Sequence, residues 1–156
     1  MYILKPMTLE KDIASRFMDV TPLMMRTLKA HVRKSSEGVL THPQYRIMAN
    51  IQRGLDSVTQ IAFHHGVSQP SMTKMVNLMV AKGWILKETD PEDARQTRLK
   101  LSAKGLRIFL QVRQSTRQRL NQRIGKLSGS ELSRLQEAFE EIQHLISRIQ
   151  EKEELP

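Results

Sequence analysis

Between Ser57 and Gly105 the apolar residues change period, from helical spacing to alternation, and glycines cut the stretch into short elements. Few architectures accommodate that order. Ser57 is a good N-cap for the run Val58-Thr59-Gln60-Ile61-Ala62-Phe63, which Gly66 stops. A second start follows at once, with Ser68 placed to offer its hydroxyl to the orphan amides and Pro70 tolerated because the first turn needs no bond from its nitrogen. No breaker then occurs before Gly83. Within this second run Met72, Met75, Val76 and Met79 share an inward face. Ser68, Gln69, Ser71, Thr73, Lys74 and Asn77 are left largely on other faces. Short polar groups and one ammonium suit base edges and phosphates.

After Gly83 the pattern alternates. Thr97-Arg98-Leu99-Lys100-Leu101 can turn Leu99 and Leu101 inward and Arg98 and Lys100 to water, with Trp84 to Thr89 as the partner strand. The connection Asp90-Pro91-Glu92-Asp93-Ala94-Arg95-Gln96 is rich in turn formers, and Ser102 caps another helix. Helix, turn, helix and two-stranded hairpin predict a mainly α (α+β) fold, a winged helix-turn-helix whose wing is the hairpin loop, flanked by N- and C-terminal helices.

These residues resemble a known family. Ile61-Ala62, Gly66-Val67-Ser68-Gln69-Pro70-Ser71, Thr73, Val76, Lys82-Gly83, Asp90 to Arg95 and Leu101-Ser102-Ala103-Lys104-Gly105 look like the MarR family of transcriptional regulators, and Leu40-Thr41-His42-Pro43-Gln44-Tyr45-Arg46-Ile47-Met48 is similar to the family's preceding segment. The resemblance implies one MarR-like domain over 1–156, with a DNA-binding lobe at 40–105 and a helical dimerisation region from 1–36 and 106–152. It also implies a pseudo-palindromic double-stranded DNA operator. Ser68, Gln69, Pro70, Ser71, Thr73, Lys74 and Asn77 would face the major groove, and Arg95 at the wing tip, oriented by Asp93, a flanking minor groove. Lys87 and Arg98 complete the DNA-binding set. Lys87 stands where the family often has arginine and Asn77 where an acidic residue is frequent; an ammonium in place of a planar fork weakens any bidentate phosphate grip. The family often takes aromatic carboxylates in a cleft between the dimer helices and the DNA-binding lobe, for which Arg26, Tyr45 and Met48 are the candidates here. The expected function is a repressor that a small ligand releases. A winged helix used only for protein docking is the competing expectation.

Charge agrees with a polyanionic partner. The formal net charge is +9, and no Asp or Glu occurs between Asp93 and Glu131, a stretch holding Arg95, Arg98, Lys100, Lys104, Arg107, Arg113, Arg117, Arg119, Arg123 and Lys126. A solvated helix face is the alternative for Arg113 to Arg123. The absence of cysteine excludes disulfides and thiol-based sensing within the chain. Adjacent His64 and His65 point about a hundred degrees apart on a helix, and His31, His42 and His144 show no ligand spacing, so no metal site is expected. No cofactor is expected either. Phosphate-cradling glycine loops and nucleophile elbows are missing, so no enzymatic activity is expected. Without an 18-residue apolar run or a signal-like start, the expected location is cytoplasmic, with no membrane contact.

The flanks read as helices. Ile13, Phe17 and Val20 keep helical spacing, and Thr21-Pro22 predicts a kink or a new cap in a bent first helix. Ser128-Gly129-Ser130-Glu131 is a capping box, followed by Leu132, Leu135, Phe139, Ile142, Leu145 or Ile146, and Ile149. That stripe needs a partner. Leu106, Phe109, Leu110, Leu120 and Ile124 on the preceding helix could supply one within the chain, whereas the family resemblance favours a homodimer through Ile13, Phe17, Leu132, Leu135, Phe139, Ile142 and Ile146.

Overall fold

The computed structural model describes residues 8–89 and 97–153, with side chains described through 149. Contacts divide the chain into two compact units, 1–116 and 117–156, so the division falls inside the fifth helix and not at its start. The order is α1 (Leu9–Ser36), α2 (His42–Gln52), α3 (Val58–His65), α4 (Gln69–Ala81), β1 (Ile85–Thr89), β2 (Thr97–Leu101), α5 (Ala103–Ile124) and α6 (Gly129–Glu153). This is the mainly helical fold with a two-stranded wing that the sequence predicts.

In the first unit, α1 runs unbroken through Pro22, so Thr21 is not a new cap. The price of that proline is one missing helix bond, since its nitrogen carries no hydrogen. Capping boxes start α2 at Thr41 with Gln44 and α3 at Ser57 with Gln60, each pair satisfying two orphan amides reciprocally. Gly66 ends α3 in the left-handed region (φ 64°), a conformation that costs a residue with a β-carbon 1–2 kcal/mol or so. The turn into α4 follows directly.

The core of this unit joins Ile47 and Met48 of α2, Ile61 of α3, Met72, Val76 and Met79 of α4, Ile85 and Leu99 of the hairpin, and Phe109 of α5, all essentially without exposed surface. Met75, expected inward with its neighbours, is half-buried at the edge of that cluster. With Val32 from the end of α1 also sealed in this cluster, five helices and the hairpin share one interior, which fixes α4 in rotation and leaves its other face outward.

The hairpin is antiparallel, with Ile85 opposite Leu101 and Thr89 opposite Thr97. Trp84 lies just outside it, a correction to the expected strand: its N–H turns back to the Met79 carbonyl at 2.9 Å and closes the end of α4, while its carbonyl accepts from Ser102 N–H at 3.0 Å across the hairpin. Leu99 N–H donates to the Asp56 carbonyl at 2.7 Å, so the segment before α3 is tied to β2. Ser102 holds the base of the wing. Its hydroxyl accepts from Gly105 N–H (2.9 Å) and donates to the Gly83 carbonyl (2.6 Å). A β-carbon on Gly105 would collide with the Trp84 carbonyl, so only glycine lets α5 start this close to the hairpin.

In the second unit, the Ser128 and Glu131 box opens α6 as predicted, with Ser128 N–H donating to Glu131 Oε2 at 2.7 Å. Glu131 is held below its ordinary carboxyl range by these bonds to the Ser128 backbone and side chain. Leu120, Leu135 and Ile146 are half-buried, while Leu132, Phe139, Ile142, Leu145 and Ile149 are exposed, and no described residue of α6 is buried.

Candidate nucleic-acid interface

The α4 surface opposite the methionine stripe carries the predicted set. Ser68, Gln69, Pro70, Ser71, Lys74 and Asn77 are exposed, and Thr73 is half-buried. Ser68 does not cap as expected. Its hydroxyl donates to Ser71 Oγ at 2.9 Å and makes no bond to an α4 amide. A side-chain partner three residues on competes successfully with the backbone. The first-turn amides of α4 are thus uncapped by Ser68, at the helix end whose dipole favours anions. Thr73 Oγ1 donates to its own Gln69 carbonyl at 2.9 Å, so its hydroxyl hydrogen is spoken for while its lone pairs can still accept. Gln69 and Lys74 remain as the long polar reach of this face.

Lys87 on β1 extends the same surface. Its ammonium donates to Asn77 Oδ1 at 2.7 Å, a link from wing to α4 between residues ten apart in sequence. Asn77 is neutral, so the bond positions Lys87 without cancelling its charge, and two ammonium hydrogens stay available. Arg98 differs: it is half-buried and lies 3.7 Å from Asp56, so a carboxylate offsets part of its charge. Lys100 pairs with Glu88 across the hairpin. Lys82 covers the Trp84 ring at 4.6 Å, and Lys104 donates to the Lys82 carbonyl at 3.0 Å, so these two lysines also secure the junction between α4 and α5. Asp93 and Arg95 lie outside the described residues.

The three ligand candidates are separated by burial. Met48 is wholly enclosed in the core, Arg26 is exposed, and Tyr45 is half-buried with its ring 5.3 Å from that of Phe109. Burial pushes the Tyr45 hydroxyl up, against the opposing pull of Arg113 and Arg53, two guanidiniums near enough to favour the phenolate. Spacing could not have found Arg53 and Arg113, because one ends α2 and the other lies in the middle of α5.

Behind the interface, Arg46 donates to the His64 carbonyl at 3.1 Å and holds the end of α3 to α2. His65 is pushed down to about 4 by burial first, then by Arg46, His42 and His64, and His42 is lowered by burial, Arg46 and Lys29. The Nε2 atoms of both are enclosed without a hydrogen-bond partner. No cluster of three or more potential metal ligands occurs among the described residues. Nor, among them, is any helix long and apolar enough to cross a membrane.

The first hairpin strand β1, the buried α4 stripe and the exposed α4 N-terminus lie within the segment that matches a family model, residues 40–96, that of the MarR family. Residues 40–96 are similar to the MarR family. Solved structures extend the likeness in fold well past that segment. A MarR family protein from Bacillus stearothermophilus superposes with a TM-score of 0.76 at 16% identity, over 90% of this chain and 99% of that one. The Mycobacterium tuberculosis protein RV1404 gives 0.71 at 19% identity, over 88% and 95%. Wild-type MarR from E. coli in its apo form gives 0.70 at 20% identity, over 80% and 94%. No curated protein matches the sequence.

Proposed function

We propose that the protein is a dimeric, sequence-specific DNA-binding transcriptional regulator that acts as a repressor. The observation that carries this reading is the orientation of α4: Met72, Val76 and Met79 lock one face into the core, and Gln69, Ser71, Lys74 and Asn77 stand outward beside Lys87, on a MarR-family lobe. In this reading α4 enters the major groove and Lys87 contacts a flanking phosphate. Arg95, with Asp93 beside it in sequence, reads a narrow minor groove. Arg98 serves mainly to brace the wing against Asp56.

Two lobes require two chains. The exposed apolar residues of α1 (Ile13, Phe17) and α6 (Leu132, Phe139, Ile142), with Leu135 and Ile146 at their margin, support pairing through these helices. The proposed effector is an aromatic carboxylate held near Tyr45, where Arg53 and Arg113 supply the positive field. Footprinting on the DNA upstream of the protein's own coding region tests the function. A protected pseudo-palindrome with half-sites about one turn apart is the expected result. Uniform affinity for all duplexes would leave the chain a non-specific binder and remove the regulator.

A further inference from the structure

We infer that Asn77 acts on DNA through Lys87 and not by reading a base: its side-chain carbonyl is a fixed acceptor that presents the Lys87 ammonium to a phosphate, an assignment that rests on the DNA-binding reading above. The two side chains come from different elements, α4 and β1, and both residues are exposed. Cross-strand neighbours share a face of the hairpin, and the residue opposite Lys87 is Leu99, which is sealed in the core. Lys87 therefore rises from the face that packs on the helices, and its long stem carries the ammonium out to Asn77 Oδ1 at 2.7 Å. Glu88, next in the strand, leaves from the other face.

An ammonium has donors but no lone pair, so only the carbonyl end of the Asn77 amide can meet it. That fixes the orientation of the amide. The bidentate grip by which asparagine reads adenine needs the same carbonyl together with the NH2 group, so reading a base and holding Lys87 compete. Position points the same way. Asn77 lies roughly 12 Å beyond Gln69 along α4, whereas the N-terminal residues of a recognition helix reach the bases. The charge of the partner matters as much as its place. Arg98 and Lys100, the other cations of the hairpin strands, stand beside the carboxylates of Asp56 and Glu88. Lys87 is held by a neutral group, so its flexible stem is restrained while its full charge is left for a phosphate.

A double-mutant cycle on duplex binding tests this. The full-length chain is titrated by fluorescence anisotropy, at several salt concentrations, onto a duplex selected from random sequence. Lys87→Ala should lower affinity about tenfold and reduce the magnitude of the salt slope by about one, the mark of a lost phosphate contact. Asn77→Ala should lower affinity about threefold, equally for the selected duplex and for its single base-pair variants, and should cost nothing further in the Lys87→Ala chain. Alanine is the better helix former at this exposed position, so α4 stays folded in that variant. Relaxed discrimination at one base pair, losses that add in the double variant, or unchanged affinity in Asn77→Ala would each overturn the assignment while leaving the regulator intact. An unaltered chain that binds no duplex would overturn both.

Discussion

Two sets of apolar residues with the same helical spacing meet different fates. Met72, Val76 and Met79 of α4 are sealed at 1% exposure or less, whereas Phe139 and Ile142 of α6 stay 46% and 49% exposed and Ile13 and Phe17 of α1 stay 56% and 55% exposed. Spacing specifies a helix and its apolar face but says nothing of what covers that face. In the winged lobe the cover comes from the same chain, through α2, α3, the hairpin and α5. On the first part of α1, up to Met25, and on α6 the apolar residues named stay exposed, and exposed apolar surface of that extent marks an interaction face. The lobe is built to hold its shape alone; the flanks are built to meet something.

The severest way to break this contrast is to remove one side of it. Deleting the chain from Ser128 onward should leave the lobe folded but abolish the dimer, and operator affinity should fall by about 10²–10⁴ as the second half-site contact is lost. Sedimentation with fluorescence anisotropy measures both, and a truncated chain that dimerises and binds unchanged would restrict α6 to local packing. A matched pair of substitutions sharpens the contrast. Phe109→Ala, in the sealed core, should cost about 3–5 kcal/mol of stability whatever the protein concentration. If Phe139 acts between chains, as proposed, Phe139→Ala should instead make the thermal midpoint fall on dilution. Equal, concentration-independent losses from both would erase the distinction.

Within the lobe the exposed face of α4 should behave unlike its sealed face. Gln69→Ala should leave stability nearly unchanged while relaxing discrimination at particular central bases by about 1–3 kcal/mol. Competition between duplexes with single changes would show it, and a uniform loss over all sequences would move Gln69 to phosphate contact.

A smaller effect concerns the seam between α2 and α3. The folded state holds His65 near 4 and His42 below its usual range, so the unfolded chain takes up these protons first as the pH falls. Stability is therefore intact above about pH 6.5 and declines as pH drops toward 4. Thermal midpoints at pH 7 and 5 should differ less for His65→Gln than for the unaltered chain. The same difference in both would show that other groups govern the acid limb.

Much of this was legible in the sequence, for physical reasons that differ by element. Capping and period reveal α3, α4 and β2 because their signals are local: Ser57 and Gln60, Gly66, and the alternation from Thr97 to Leu101. Three features escaped. Ser68 has the residue type of a cap, but its hydroxyl bonds to Ser71. Thr21-Pro22 reads as either a kink or a new cap, and α1 continues through it without a new start. Trp84 reads as strand by its β propensity, although its N–H closes α4. In the candidate site, the choice of α4 residues followed from the face opposite the methionines. The bond from Lys87 to Asn77, the offset of Arg98 by Asp56, and the guanidiniums around Tyr45 depend on tertiary placement that no spacing rule contains.

The central claim is that two winged lobes, paired through their flanking helices, grip the phosphates of one duplex. Affinity for a duplex bearing two half-sites one turn apart, measured against salt by fluorescence anisotropy, tests it most directly. If each lobe contributes several phosphate contacts, affinity should fall by about 10³–10⁵ between 50 and 200 mM salt, and a duplex with one half-site should bind far more weakly at every concentration. A complex indifferent to salt, or equal affinity for one half-site and two, would contradict the account.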